Sequence, residues 1–219
     1  MPCHRASPAT GGPYPGVIVV MEAFGLNGHI KALTERIARE GYVAIAPDLY
    51  HRFGSPVVPY EDEPAAITHM KRLDPERVMV EIGVVIAHLQ SRPEAPTRVG
   101  IVGFCMGGTV ALRTAAYHGA AVAAVVSFYG GGSVAADAAL LARIASPVLA
   151  LFAERDAFIP LEQVERIDAT MRGLGKTYES KVYLGAVHGF FCDERESYDS
   201  GAARDSWMRL LGWLSKHLK

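Results

Sequence analysis

RVGIVGFCMGGTV (98–110) decides how the rest of the chain is read. Its first seven residues form an apolar run without polar alternation, which suits a strand buried on both faces of a parallel sheet. The run ends in Gly103-Phe104-Cys105-Met106-Gly107-Gly108. A Walker-type phosphate loop needs a longer glycine-bounded turn followed by Lys and Ser or Thr, and this segment has no lysine. The dinucleotide fingerprint fails on glycine spacing. What fits is G-x-C-x-G, a cysteine at a tight strand-to-helix turn whose neighbours must be small for the two elements to approach. A helix predicted from about 107 to 118 points its N-terminal amides at the sulfur, favouring a thiolate and any developing oxyanion. The bland alternative is a buried structural cysteine.

Working outward, further apolar runs occur at VIVVM (17–21), YVAIA (42–46), AVAAVVSF (121–128), PVLALFA (147–153) and KVYL (181–184). Between them lie segments of helical period. In 27–40, Ile30, Leu33 and Ile37 mark one face, Asn27 caps the start and Gly41 closes the end. In 200–218, Ala203, Trp207, Leu210, Leu211, Leu214 and Leu218 trace an apolar stripe. This alternation predicts one α/β domain over 1–219, with a mostly parallel central sheet and helices on both faces. Such sheets place ligands outside the carboxyl ends of their strands. The positions to watch are therefore Glu22-Ala23-Phe24, Asp48, Cys105, Glu154 to Asp156, and His188.

Composition narrows the function. Lys and Arg total 22 against 23 acidic residues, a formal charge of −1, which gives no global attraction for nucleic acid or anionic membranes. No run is long enough to cross a bilayer, and MPCHRASPATGGPYPG lacks the apolar core of a signal peptide. Cys3, Cys105 and Cys192 are too sparse for a disulfide framework and suit a reducing cytoplasm. Cysteine and histidine lack the paired spacing of a zinc site, so no metal or cofactor is assigned. No pattern sets an oligomeric state.

A nucleophile needs a base, and the base an orienting acid. Asp156 follows PVLALFA in the loop ERDAF, and His188 follows KVYL in GAVHGF. The chain order Cys105, Asp156, His188 is nucleophile, acid, histidine, as this elbow architecture requires. Singly, Asp156 could be a loop carboxylate and His188 a surface histidine. All three fall on strand ends, which favours a triad. Met106, following the cysteine, supplies one oxyanion N–H. The segment 47–64, with four prolines, reads as a pocket wall. On it, Tyr50 and Arg52 are candidate lining residues, His51 is read as loop packing, and Asp48 braces the turn.

The motifs VIVVMEAFGLN, GYVAIAPDLYHR, GFCMGG, ERDAFIP and VHGFFCDERESY, spanning about 15 to 200, resemble the dienelactone hydrolase (carboxymethylenebutenolidase-like) family of α/β-hydrolases. The resemblance implies hydrolysis of a lactone or small carboxylic ester through an acyl-thioester on Cys105. It implies that Ala23 gives the second oxyanion N–H, that Phe24 contacts substrate, and that Glu22 meets the thiol at rest and is displaced by substrate. In the family two arginines hold a substrate carboxylate. One position is Cys192 here, with Arg195 as a nearby substitute; for the other, Lys71 and Arg72 are the candidates. Against the family, the leading edge of the sheet looks truncated. A thioester or aryl-ester hydrolase and a non-catalytic small-molecule-binding scaffold remain as alternatives.

Overall fold

The computed structural model describes residues 1–9, 11–91 and 98–219. In chain order its elements are β1 (Cys3–Ala6), β2 (Gly16–Val20), α1 (Gly28–Arg39), β3 (Val43–Pro47), α2 (Glu63–Lys71), α3 (Pro75–Gln90), β4 (Val99–Phe104), α4 (Met106–His118), β5 (Val122–Phe128), α5 (Ala138–Arg143), β6 (Val148–Ala153), α6 (Leu161–Gly173), β7 (Tyr178–Tyr183) and α7 (Ser200–Leu218). The seven strands make one sheet in the order β1-β3-β2-β4-β5-β6-β7. All pairings are parallel except β1 with β3.

The apolar runs become the sheet interior because they lack a polar face to give to water. Every residue of β2, β3, β4 and β6 is buried. Burying one such Val, Ile or Leu side chain contributes about 1.5–3 kcal/mol. Helices cover both faces, as two glycines demonstrate. Gly16 faces Leu89 of α3. Gly100, whose partner in the register is Val17, faces Leu214 and Leu218 of α7. Since neighbouring residues point to opposite faces, α3 and α7 lie on opposite sides.

Two expectations shift. The leading edge is not bare: CHRA pairs antiparallel with β3, from Cys3 opposite Pro47 to Ala6 opposite Ala44. This strand has no apolar run because its residues alternate between exposed and half-buried at the sheet edge. The last strand begins three residues before KVYL, at Tyr178, again with alternating exposure at an edge. The helix caps match the reading: the Asn27 side chain accepts the Ile30 N–H at 3.1 Å.

The chain order reverses around β2, with β3 on one side and β4 on the other. Glu22 and Cys105 follow the carboxyl ends of β2 and β4, the crevice where open α/β sheets bind ligands. The start of α4 sits almost on the backbone of the strands beneath it. A Cβ on Gly107 would lie 2.7 Å from the Met21 carbonyl oxygen, and one on Gly108 2.7 Å from that of Phe128. Gly107→Ala is therefore expected to cost about 2–3 kcal/mol, the scale of overpacking a tight backbone contact. Gly212→Ala, in exposed mid-α7 with nothing within 4 Å of the added methyl, should stabilise by about 0.5–1 kcal/mol. Urea melts of the two variants should move in opposite directions.

Candidate active site

Cys105 joins β4 to α4 with φ 55° and ψ −118°, a backbone conformation that a non-glycine residue adopts only under constraint. The constraint is visible. The Cys105 N–H donates to the Phe128 carbonyl at 3.0 Å, and its own carbonyl accepts from Gly108 N at 3.0 Å. A side chain on Gly103 would collide with the Gly107 carbonyl. The cysteine is thereby held up at the mouth of the crevice, half-buried, while its neighbours are packed beneath it.

Asp156, in the loop after β6, uses its two oxygens differently. Oδ1 accepts the N–H groups of Phe158 (2.8 Å) and Ile159 (2.9 Å), which folds the loop around it. Oδ2 takes Nδ1 of His188 at 2.8 Å. That bond orients the imidazole, and Tyr129 and Phe158 clamp it edge-to-face, each with ring centroids 4.9 Å away. Nε2 of His188 is buried and makes no well-formed hydrogen bond, yet it lies near enough to Cys105 to feel its charge. Burial by itself lowers the imidazole pKa. The nearby Cys105 sulfur opposes this, followed by the hydrogen bond to Asp156, and together they push it up to about 10. At neutral pH the arrangement favours the protonated imidazole.

The two expected oxyanion donors flank this pair. Met106 is the first residue of α4, so its N–H has no acceptor one turn back. Ala23 lies in the turn after β2, and its N–H has no protein acceptor among the described residues. Both line the cavity with Cys105 and His188. Tyr50 fixes that turn from below: it is fully buried and its hydroxyl donates to the Ala23 carbonyl at 2.8 Å. Tyr50 therefore braces the site and does not line the cavity. Arg52 does not reach it either, because its guanidinium pairs with Glu81 at 2.7 Å. Arg72 is likewise directed elsewhere, over the Phe53 ring at 4.1 Å.

Glu22 is completely buried, and its carboxylate is caged. Tyr129 donates to Oε1 at 3.3 Å, Tyr60 to Oε2 at 3.5 Å, and Nη1 of Arg195 stands 3.7 Å from Oε1. It makes no hydrogen bond to the Cys105 thiol among the described residues, so the contact implied by the resemblance is not formed in this arrangement. Cys192 is buried close by, and burial, with the Glu22 charge behind it, pushes its thiol up to about 12. Burial and Glu22 raise the pKa of Tyr129 well above the ordinary phenol value.

The cavity measures about 200 Å³. Besides Ala23, Phe24, Cys105, Met106 and His188, it is walled by Ile67 and Met70 of α2 and by Phe158 and Ile159 after β6. The sequence reading missed the α2 wall and both tyrosines of the Glu22 cage. Spacing at 66, 67 and 70 after an Asp62 cap was an available helix signal. Tyr129 follows the carboxyl end of β5 and met the same positional criterion as Cys105.

This constellation has known counterparts. The family model of the dienelactone hydrolases matches residues 1–218. The chain belongs to the dienelactone hydrolase family. A Methylorubrum extorquens protein named "Putative carboxymethylenebutenolidase" is 36% identical, over 99% of this chain and 77% of its own. The crystal structure of a "Putative Dienelactone Hydrolase" from Klebsiella pneumoniae superposes with a TM-score of 0.89, 35% identity, and coverage of 99% of this chain and 93% of that one. A dienelactone hydrolase-like promiscuous phosphotriesterase from metagenomic libraries gives 0.81 at 29% identity, over 96% of this chain and 89% of that one. As a dienelactone hydrolase family member, the protein is a carboxylic ester hydrolase acting on small molecules. Among its described residues no helix is long and apolar enough to cross a membrane.

The raised imidazole pKa has a spectroscopic consequence. In the wild type the His188 imidazole should keep its proton through neutral pH and lose it near about 10. Removing the sulfur in Cys105→Ala leaves Asp156 alone to oppose burial, so the titration should move down from that value. Imidazole chemical shifts followed against pH measure this directly.

Proposed function

We propose that this chain hydrolyses a lactone or small carboxylic ester with Cys105 as nucleophile, His188 as proton carrier and Asp156 as orienting acid. The single observation carrying the reading is the strained Cys105 turn beside a histidine whose other ring nitrogen is bonded to a buried aspartate. Backbone strain of this kind costs on the order of 1–3 kcal/mol and clusters at functional sites.

The thiolate attacks the acyl carbon, and the carbonyl oxygen, now negative, is received by the N–H groups of Ala23 and Met106. As the tetrahedral species collapses, the C–O bond breaks and the imidazolium gives its proton to the departing oxygen. The acyl group is then a thioester on Cys105. Neutral His188 takes a proton from water, the hydroxide oxygen attacks the thioester, and thiolate leaves with carboxylic acid as product. Asp156 holds the tautomer with Nε2 facing the reaction throughout. A thiolate with little acid assistance suits activated esters and lactones better than amides.

Glu22 acts here as a gate. A carboxylate near the sulfur disfavours a second negative charge, whereas a carboxylate held by Tyr60, Tyr129 and Arg195 leaves the thiolate free. The Glu22 positions seen here would then correspond to the open setting. The three free cysteines support a reducing cytoplasmic setting.

Cys105→Ala is expected to lower kcat on p-nitrophenyl butyrate by about 10³-fold or more, as loss of a nucleophile does. Mass spectrometry of acid-quenched wild type should find the butyryl group on Cys105. Turnover undiminished in the alanine variant would remove Cys105 from the mechanism.

A further inference from the structure

The proposed hydrolase site is ringed by carboxylates. Glu63 lines the cavity itself. Immediately outside lies a groove walled by Tyr60, Glu61, Glu194, Arg195 and Glu196, and Arg195 belongs to both spaces. Among the described lining residues of cavity and groove, Arg195 is the one guanidinium or ammonium, and four exposed glutamates share those walls with it. Its charge is already matched from the inside by Glu22 at 3.7 Å. Apart from His188 at the reacting end, the lining offers no second cation: beyond Glu63, the α2 positions are Ala66, Ile67 and Met70, and Phe24, Phe158 and Ile159 complete an apolar wall.

From this arrangement we infer that the enzyme is selective for uncharged esters and lactones with a short apolar acyl group, and that its acidic rim excludes substrates bearing a free carboxylate. The inference rests on the hydrolase reading for its chemistry but on the rim for its selectivity. A carboxylate entering the cavity would leave water for apolar walls and find a guanidinium already shared with buried Glu22 and an imidazole already bonded to buried Asp156. On the way it would pass glutamates within about one Debye length, roughly 8 Å at physiological salt. Nη1 of Arg195 does lack a hydrogen-bond partner. An incoming anion that used it would have to lie beside Glu22, and two carboxylates on one buried cation repel. The same rim favours departure of the acid product, which is born neutral at the thioester and ionises as it meets water.

Three p-nitrophenyl esters test this at constant leaving group: butyrate, hemisuccinate (its terminal methyl replaced by carboxylate), and the methyl ester of hemisuccinate. With spontaneous hydrolysis subtracted, kcat/KM for hemisuccinate should fall below that for butyrate by about 30-fold at low salt, narrowing in 1 M NaCl. The methyl-capped ester should recover most of the loss. Glu61→Gln/Glu194→Gln/Glu196→Gln should raise the hemisuccinate value severalfold and leave butyrate within about twofold. In parallel, alkylation of Cys105 by iodoacetamide and by iodoacetate, each normalised to a small free thiol and read by peptide mass, reports the same barrier without turnover. Neutral reagent should be favoured by about tenfold or more. Equal handling of charged and neutral probes, or a capped ester as poor as the free acid, overturns the inference. Absent turnover with the alkylation preference intact leaves the rim standing and overturns the hydrolase mechanism instead.

Discussion

The structure depends on how closely the first turn of α4 approaches the sheet. Three glycines at the end of β4 and the start of α4, with Gly130 after β5, let backbone rest on backbone: a Cβ on Gly130 would sit 2.6 Å from the Thr109 amide. No larger residue can occupy these places without separating helix from strand. Cys105 inherits its positive φ from that approach. The helix amides, the Met106 N–H and the sulfur are brought together by one steric condition, not by contacts of their own.

Around that point the site is an exercise in matching charges out of water. A buried carboxylate, Glu22, is tolerated because two phenols and a guanidinium surround it; a buried imidazole is tolerated because Asp156 and the sulfur make its charged form favourable. Every such group answers another, so the electrostatics of sulfur, imidazole and Glu22 cannot be altered singly. The apolar remainder of the cavity keeps water from screening them. Tyr50 contributes at one remove, tying the turn that holds Ala23 to the loop after β3.

Much of this was legible in the residues. Interior strands announce themselves because burial on both faces forbids polar alternation, and GFCMGG is readable because sterics allow few other compositions. Cys105, Asp156 and His188 could each be placed at the end of an apolar run, in the order of nucleophile, acid and histidine, from the residues alone. What escaped was set by tertiary context. CHRA and the start of β7 are edge strands, whose polar positions face solvent and so mimic loops. Tyr50 and Arg52 sit two apart on one segment, yet one turns inward under Ala23 and the other outward to Glu81, a choice made by their neighbours. The tyrosines around Glu22 come from distant parts of the chain, 38 and 107 residues away, and no local pattern links them.

The two oxygens of Asp156 divide between architecture and reactivity. One is committed to its own loop, the other to the ring across the crevice. An amide at this position could satisfy the first duty with its carbonyl while presenting NH₂ to the second, reversing which ring nitrogen carries the proton. Shape and proton bookkeeping are thus separable at a single atom. A drifting lineage could keep an intact shell here long after its chemistry had gone, and outline alone would not tell the two apart.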